Sequence, residues 1–66
     1  MVPVTEYTQF VIDFDNGKHP HERFGQAFLN KFHDYPEVAA QRSNSKIWEG
    51  TNKADIIPLL YELKLI

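Results

Sequence analysis

Arg23, Gln26 and Asn30 stand at i, i+3 and i+7, the spacing that lines side chains up along a helix. Together they offer a planar guanidinium fork and two carboxamides, each both donor and acceptor. That is the chemistry of reading a peptide backbone or the edge of a base. The same residues have a structural use, in which Gln26 and Asn30 clamp the polar segment 43–51 to the helix by satisfying its backbone groups. Gly25 lies inside the run and favours this use. Glycine costs a helix about 1 kcal/mol against alanine, and close approach of another backbone would account for its presence.

A second group surrounds Ser43-Asn44-Ser45, where Arg42, Lys46 and Lys53 flank Trp48. Basic side chains around an aromatic can contact phosphates and stack a base; folded inward, Trp48 is simply core under a solvated loop. The candidate interaction residues are therefore Arg23, Gln26, Asn30, Arg42, Lys46 and Trp48. The acids Glu6, Asp13 and Asp15 form a separate negative surface that could meet a basic partner.

His19, His21 and His33 do not have the paired spacing of a four-ligand zinc site, and His19 and His21 would point to different sides of a helix. No nucleophile elbow, phosphate-binding glycine loop or H-E-x-x-H run is present. A chain of 66 residues has little room to enclose a substrate cavity of several hundred cubic ångströms. No catalytic residue, metal ligand or cofactor is expected, and the protein is not expected to be an enzyme.

The elements that must position these residues are helical. Tyr7, Phe10, Val11 and Phe14 repeat at i, i+3, i+4 and i+7 and predict a first helix over about 6–15, with Thr5 as N-cap and Gly17 taking the left-handed conformation that ends it. Asp13 and Asp15 sit badly at that negative end of the dipole. Pro20 suits a first helical position and predicts a second helix over 20–33, with Phe24, Phe28 and Phe32 on its buried arc. Residues 37–42 predict a short helix, opened near Pro36 with Asp34 or Tyr35 as cap. The final helix begins near 51–55 and runs to about Lys64, burying Ile56, Leu60 and Leu63; Pro58 kinks it unless it falls in the first turn. Residues 46–49 alternate weakly, so a short two-stranded pairing with residues 2–4 stands as an alternative. The expected fold is mainly α, a single compact domain of three to four helices packed around Phe10, Phe14, Phe24, Phe28, Phe32, Ile56, Leu60 and Leu63.

The run Arg23-Phe24-Gly25-Gln26-Ala27-Phe28-Leu29-Asn30-Lys31-Phe32, followed by Ile47-Trp48-Glu49 and by Lys53-Ala54 before an apolar helix, resembles a group of very small phage and prophage-type proteins. Those share an R-x-G-Q-A-F-x-N-x-F block. The resemblance covers roughly residues 23–57, with a longer middle here because Arg42-Ser43-Asn44-Ser45-Lys46 precedes the Trp-Glu pair. It implies a compact phage-encoded accessory protein and no particular chemistry.

Net charge is −2 and there is no cysteine, so neither a general polyanion binder nor a disulfide scaffold is indicated. No apolar run approaches the roughly 20 residues needed to span a bilayer, and the first residues lack the pattern of a signal peptide. The expectation is a cytoplasmic protein without membrane association. It would act as a protein-interaction module that binds and modulates a host or phage protein; the alternative is a small nucleic-acid-binding module using Arg23, Arg42, Lys46 and Lys53.

Overall fold

In the computed structural model, which describes residues 1–66, the apolar stripes form helices and no strand is present. The protein is mainly α: α1 spans Val4–Asp15, α2 Phe24–Lys31, α3 Pro36–Ala39, α4 Ser45–Trp48 and α5 Lys53–Glu62. Three of these are principal helices and two are single turns.

Helix α1 starts two residues before the expected position. Pro3, extended at ψ 141°, is its N-cap, and Thr5 lies exposed inside the first turn. The Tyr7 N–H donates to the Pro3 carbonyl at 3.0 Å, so the helix begins without a side-chain cap. Its end is as expected: Gly17 sits at φ 79°, and the N–H groups of Gly17 and Lys18 close on the carbonyls of Phe14 and Asp13, both at 3.0 Å, forming a Schellman motif.

Helix α2 is shorter than the sequence predicts, starting at Phe24 rather than Pro20. Pro20 instead occupies the second position of a turn closed by the Glu22 N–H on the His19 carbonyl at 3.3 Å. Proline's fixed φ near −65° serves that turn position as well as it serves a helix start, so its presence alone does not distinguish them. Arg23 at ψ 159° is then the extended residue from which the helix springs.

Tyr35 caps α3, with Pro36 in its first turn. The chain continues through tighter turns, Gln41 and Arg42 donating to Val38 and Ala39 at 2.9 and 3.2 Å, so the expected helix over 37–42 is one α turn followed by i→i−3 bonds. Helix α4 replaces the strand considered for 46–49. Asn44 caps it by accepting from the Lys46 N–H at 3.1 Å, and the Ile47 and Trp48 N–H groups close on the Asn44 carbonyl. Val2 has no partner strand there: its N–H donates to the Leu65 carbonyl at 2.8 Å. A four-residue helix that buries one residue, Ile47, imitates the alternation of a half-buried strand.

Asn52 caps α5 by accepting from the Ala54 N–H at 2.9 Å. Pro58 therefore falls in the second turn, where it cannot donate to the exposed Ala54 carbonyl. The helix ends in a second Schellman motif, with Lys64 and Leu65 donating to Tyr61 and Leu60 at 3.0 and 2.9 Å, but here the left-handed residue is Lys64 at φ 60°. Asp15 meets Lys53, and Val2 meets Leu65, so α1 and α5 run antiparallel.

The core collects Phe10, Phe24, Phe28, Phe32, Ile56 and Leu60 as expected, together with Val2, Ala27, Leu29, Val38, Ile47 and Leu65. Phe14 and Leu63, expected inside, are only half-buried at its edge. Phe10 is the hub, with its ring centroid 5.5, 6.0 and 5.6 Å from those of Phe24, Phe28 and Phe32. Helix α2 lies against α4 and α5, and this packing positions the candidate surface.

Candidate interaction surface

The α2–α4 contact is made by backbone. The Gly25 N–H donates to the Gly50 carbonyl at 3.2 Å, and a Cβ on Gly25 would overlap the Ile47 carbonyl. Glycine is therefore required by close approach of another chain segment, as its place in the sequence suggested. The means of holding segment 43–51 differ from the expectation, because Gln26 and Asn30 do not clamp it. Gln26 Oε1 turns back to the Arg23 N–H, a long contact at 3.5 Å, in the manner of the third residue of a capping box. Asn30 Nδ2 donates to Glu22 Oε2 at 2.6 Å. Segment 43–51 is held by the Gly25–Gly50 bond, by the Asn44 cap and by Asn44 Nδ2 donating to Gln41 Oε1 at 3.0 Å.

Glu22 is the centre of a small network. The Asn30 hydrogen bond, together with His19 Nδ1 at 3.1 Å, holds its carboxyl below the ordinary glutamate range. Asn30 thereby ties the turn before α2 to the helix's penultimate residue. His19 also lies against Phe10 and Phe14, 5.5 and 6.1 Å between ring centroids. His33 binds the Asn30 carbonyl through Nδ1 at 2.7 Å and faces Asp34 at 3.2 Å. The histidines are thus apart, and no three His, Asp or Glu side chains converge.

The remaining candidates line three adjoining depressions. Arg23 and Gln26 border the first, about 490 Å³, together with Phe14, His21 and Thr51. Arg42 and Trp48 border the second, about 230 Å³, with Ser43 and Ser45. Lys46 borders the third, about 370 Å³, with Glu49, Thr51, Asp55 and Ser45. Thr51 is common to the first and third, and Ser45 to the second and third, so the three depressions adjoin one another. Trp48 combines the two uses considered for it, packing partly on the core and partly walling the second depression.

The charges differ in how they are engaged. Lys18 and Lys53 pair with Asp13 and Asp15 at 3.4 and 2.6 Å. Arg23, Arg42 and Lys46 have no carboxylate partner. The acids of the rival negative surface are engaged: Glu6 accepts from the Tyr35 hydroxyl at 3.0 Å, and a hydrogen bond from Gln9, aided by Lys18, lowers the pKa of Asp13. Asp15 and Lys53, each at the wrong end of its own helix dipole, offset one another across α1 and α5. Lys53, one of the basic residues considered for nucleic acid, is thus engaged with Asp15 in the free protein.

His21, considered from sequence only as a metal ligand, and Thr51 were not expected at this surface. They reach it through the turn at Pro20 and the Gly25–Gly50 contact, for which no spacing rule exists. No helix is long and apolar enough to cross a membrane. Neither protein-family models, nor curated proteins, nor solved structures include a match to this chain.

Proposed function

We propose that the protein is a small interaction module that binds and modulates another protein through the face carrying Arg23, Arg42, Lys46 and Trp48. One observation carries this reading: Arg23, Arg42 and Lys46, three cations without a carboxylate partner, and the partly buried Trp48 line adjoining depressions on the surface. Exposed aromatic and arginine side chains are the residue types that anchor protein interfaces. The resemblance of the 23–32 block to small phage and prophage-type proteins supports a phage accessory role, with a host or phage protein as the target and the host cytoplasm as the place of action.

The test is capture from host lysate by the wild-type protein and by an Arg23→Glu/Arg42→Glu variant whose helical circular dichroism matches wild type. A partner retained by the first and lost by the second is the expected result. Equal capture by both removes the function from this face.

The pairing of Arg42 and Trp48 beside Ser43 and Ser45 also favours a second reading, a small nucleic-acid-binding module. It requires affinity for DNA or RNA that falls steeply with added salt. No binding at low salt rejects it.

A further inference from the structure

The end of α1 carries a reactive pair of residues that the interaction surface does not use. Of the asparagines at 16, 30, 44 and 52, only Asn16 precedes a glycine. The other three carboxamides are held: Asn30 on Glu22, Asn44 between Gln41 and the Lys46 N–H, and Asn52 on the Ala54 N–H. Asn16 is exposed, and its carboxamide makes no hydrogen bond. With no side chain on Gly17, its backbone nitrogen is unscreened. In an open chain that nitrogen, on losing its proton, attacks Asn16 Cγ. The new C–N bond closes a succinimide ring, and the carboxamide nitrogen takes up a proton and leaves as ammonia. Water then opens the ring at either carbonyl, giving aspartate or isoaspartate.

The folded chain opposes the first step in two ways. Ring closure needs the Gly17 nitrogen to eclipse Asn16 Cβ about the Cα–C bond, but at ψ 8° it nearly eclipses the Asn16 nitrogen instead. The Gly17 N–H is also committed to the Phe14 carbonyl, and the Lys18 N–H to that of Asp13, both at 3.0 Å. Turning ψ toward the reactive geometry breaks both bonds. We infer that Asn16 is a self-modification site, a deamidating asparagine gated by the Schellman motif that ends α1. The reaction proceeds only from molecules in which this motif is open, and its products hinder reclosure. Isoaspartate lengthens the backbone by one atom between the Asn16 and Gly17 nitrogens. Either product adds a carboxylate near Asp13 and Asp15 at the negative end of the helix dipole.

The test compares the intact protein with a synthetic peptide of residues 11–21, incubated together at mildly alkaline pH and followed by mass spectrometry and by chromatography of the isoaspartyl form. Because the folded chain reacts only through its open fraction, the peptide should be modified about tenfold or more faster. In denaturing urea the protein should match the peptide. Lys18→Pro removes one of the two closing N–H groups and, in a variant whose helical circular dichroism matches wild type, should speed the reaction several-fold. Amide exchange at Lys18 should be faster in the isolated modified protein than in the unmodified one. Equal rates for folded protein and peptide, an unreactive peptide, or faster reaction at another asparagine of the folded protein overturns the inference. An unchanged rate in folded Lys18→Pro removes the Schellman motif as the gate, and unchanged Lys18 exchange after modification removes the hindered reclosure.

Discussion

At Gly25 an added methyl group would overlap the Ile47 carbonyl oxygen, whereas at Gly50 it would meet Cδ1 and Cγ1 of Ile56. A backbone carbonyl held inside α4 cannot move alone, whereas the buried Ile56 side chain can yield by leaving its preferred rotamer, at about 1 kcal/mol. Gly25→Ala should therefore cost about 2–3 kcal/mol despite alanine's better helix propensity, and Gly50→Ala about 1 kcal/mol. Urea denaturation of the two variants measures this, and equal losses would show that α2 and α4 do not touch as described. The Glu22 network makes a second prediction at this scale. Asn30, then His19, lower the Glu22 pKa from the ordinary 4.5. A carboxyl that is more acidic when folded contributes stability above its unfolded pKa and loses it as pH falls through the folded value. Stability should thus decline as pH drops below about 4.5, and Glu22→Gln should flatten that decline. An NMR titration in Asn30→Ala should find the Glu22 carboxyl returned toward its ordinary value; an unchanged midpoint would remove Asn30 as the main cause.

The two Schellman motifs allow a comparison between elements. Both need a left-handed residue after the helix, filled by Gly17 at φ 79° after α1 and by Lys64 at φ 60° after α5. A side chain in that region costs about 1 kcal/mol or more. Nothing lies within 4 Å of a Cβ on Gly17, so Gly17→Ala should lose about 1 kcal/mol for conformational reasons alone. Lys64→Gly should gain about 0.5 kcal/mol, the gain being reduced by the greater freedom of glycine in the unfolded chain. Thermal melting should show shifts of opposite sign; a loss in both would mean that the Lys64 side chain stabilises the end of α5. Gly17 was readable from sequence because glycine is the usual residue there, and Lys64 was not because nothing marks a lysine as left-handed. The same contrast explains the rest. The apolar stripes of α1, α2 and α5 are long enough to fix a period of 3.6 residues. Residues 46–49 make a single turn, too short to separate a helix from a strand. Pro20 satisfied two local roles, and the choice between them was made by Arg23 and the packing of α2 on α4. Of the candidate surface, residue types were legible at Arg23, Arg42, Lys46 and Trp48, but the partners of Gln26 and Asn30 depend on where the turn before α2 folds back.

A chain of 66 residues buries only about 60% of the surface its unfolded form exposes, and the folded molecule relies on drawing both ends of the sequence into one core. Val2 and Leu65 are 2% and 1% exposed, and the Val2 N–H donates to the Leu65 carbonyl at 2.8 Å. Such end segments usually fray when nothing ties them down. Here the residues just before α1 and just after α5 fix how those antiparallel helices lie across the phenylalanine cluster, so opening the ends should require opening the core. The Val2 amide should therefore exchange with solvent as slowly as the amides of Phe28 and Leu60 and share their dependence on denaturant. Leu65→Ala should lower global stability by about 2–5 kcal/mol, a large share of what a core this small supplies. It should also speed Val2 and Phe28 exchange together, lowering their protection by the same amount. Rapid exchange at Val2 in the wild-type protein, with the core still protected, would show instead that the ends open independently and that the cooperative unit is the α2–α4–α5 packing alone.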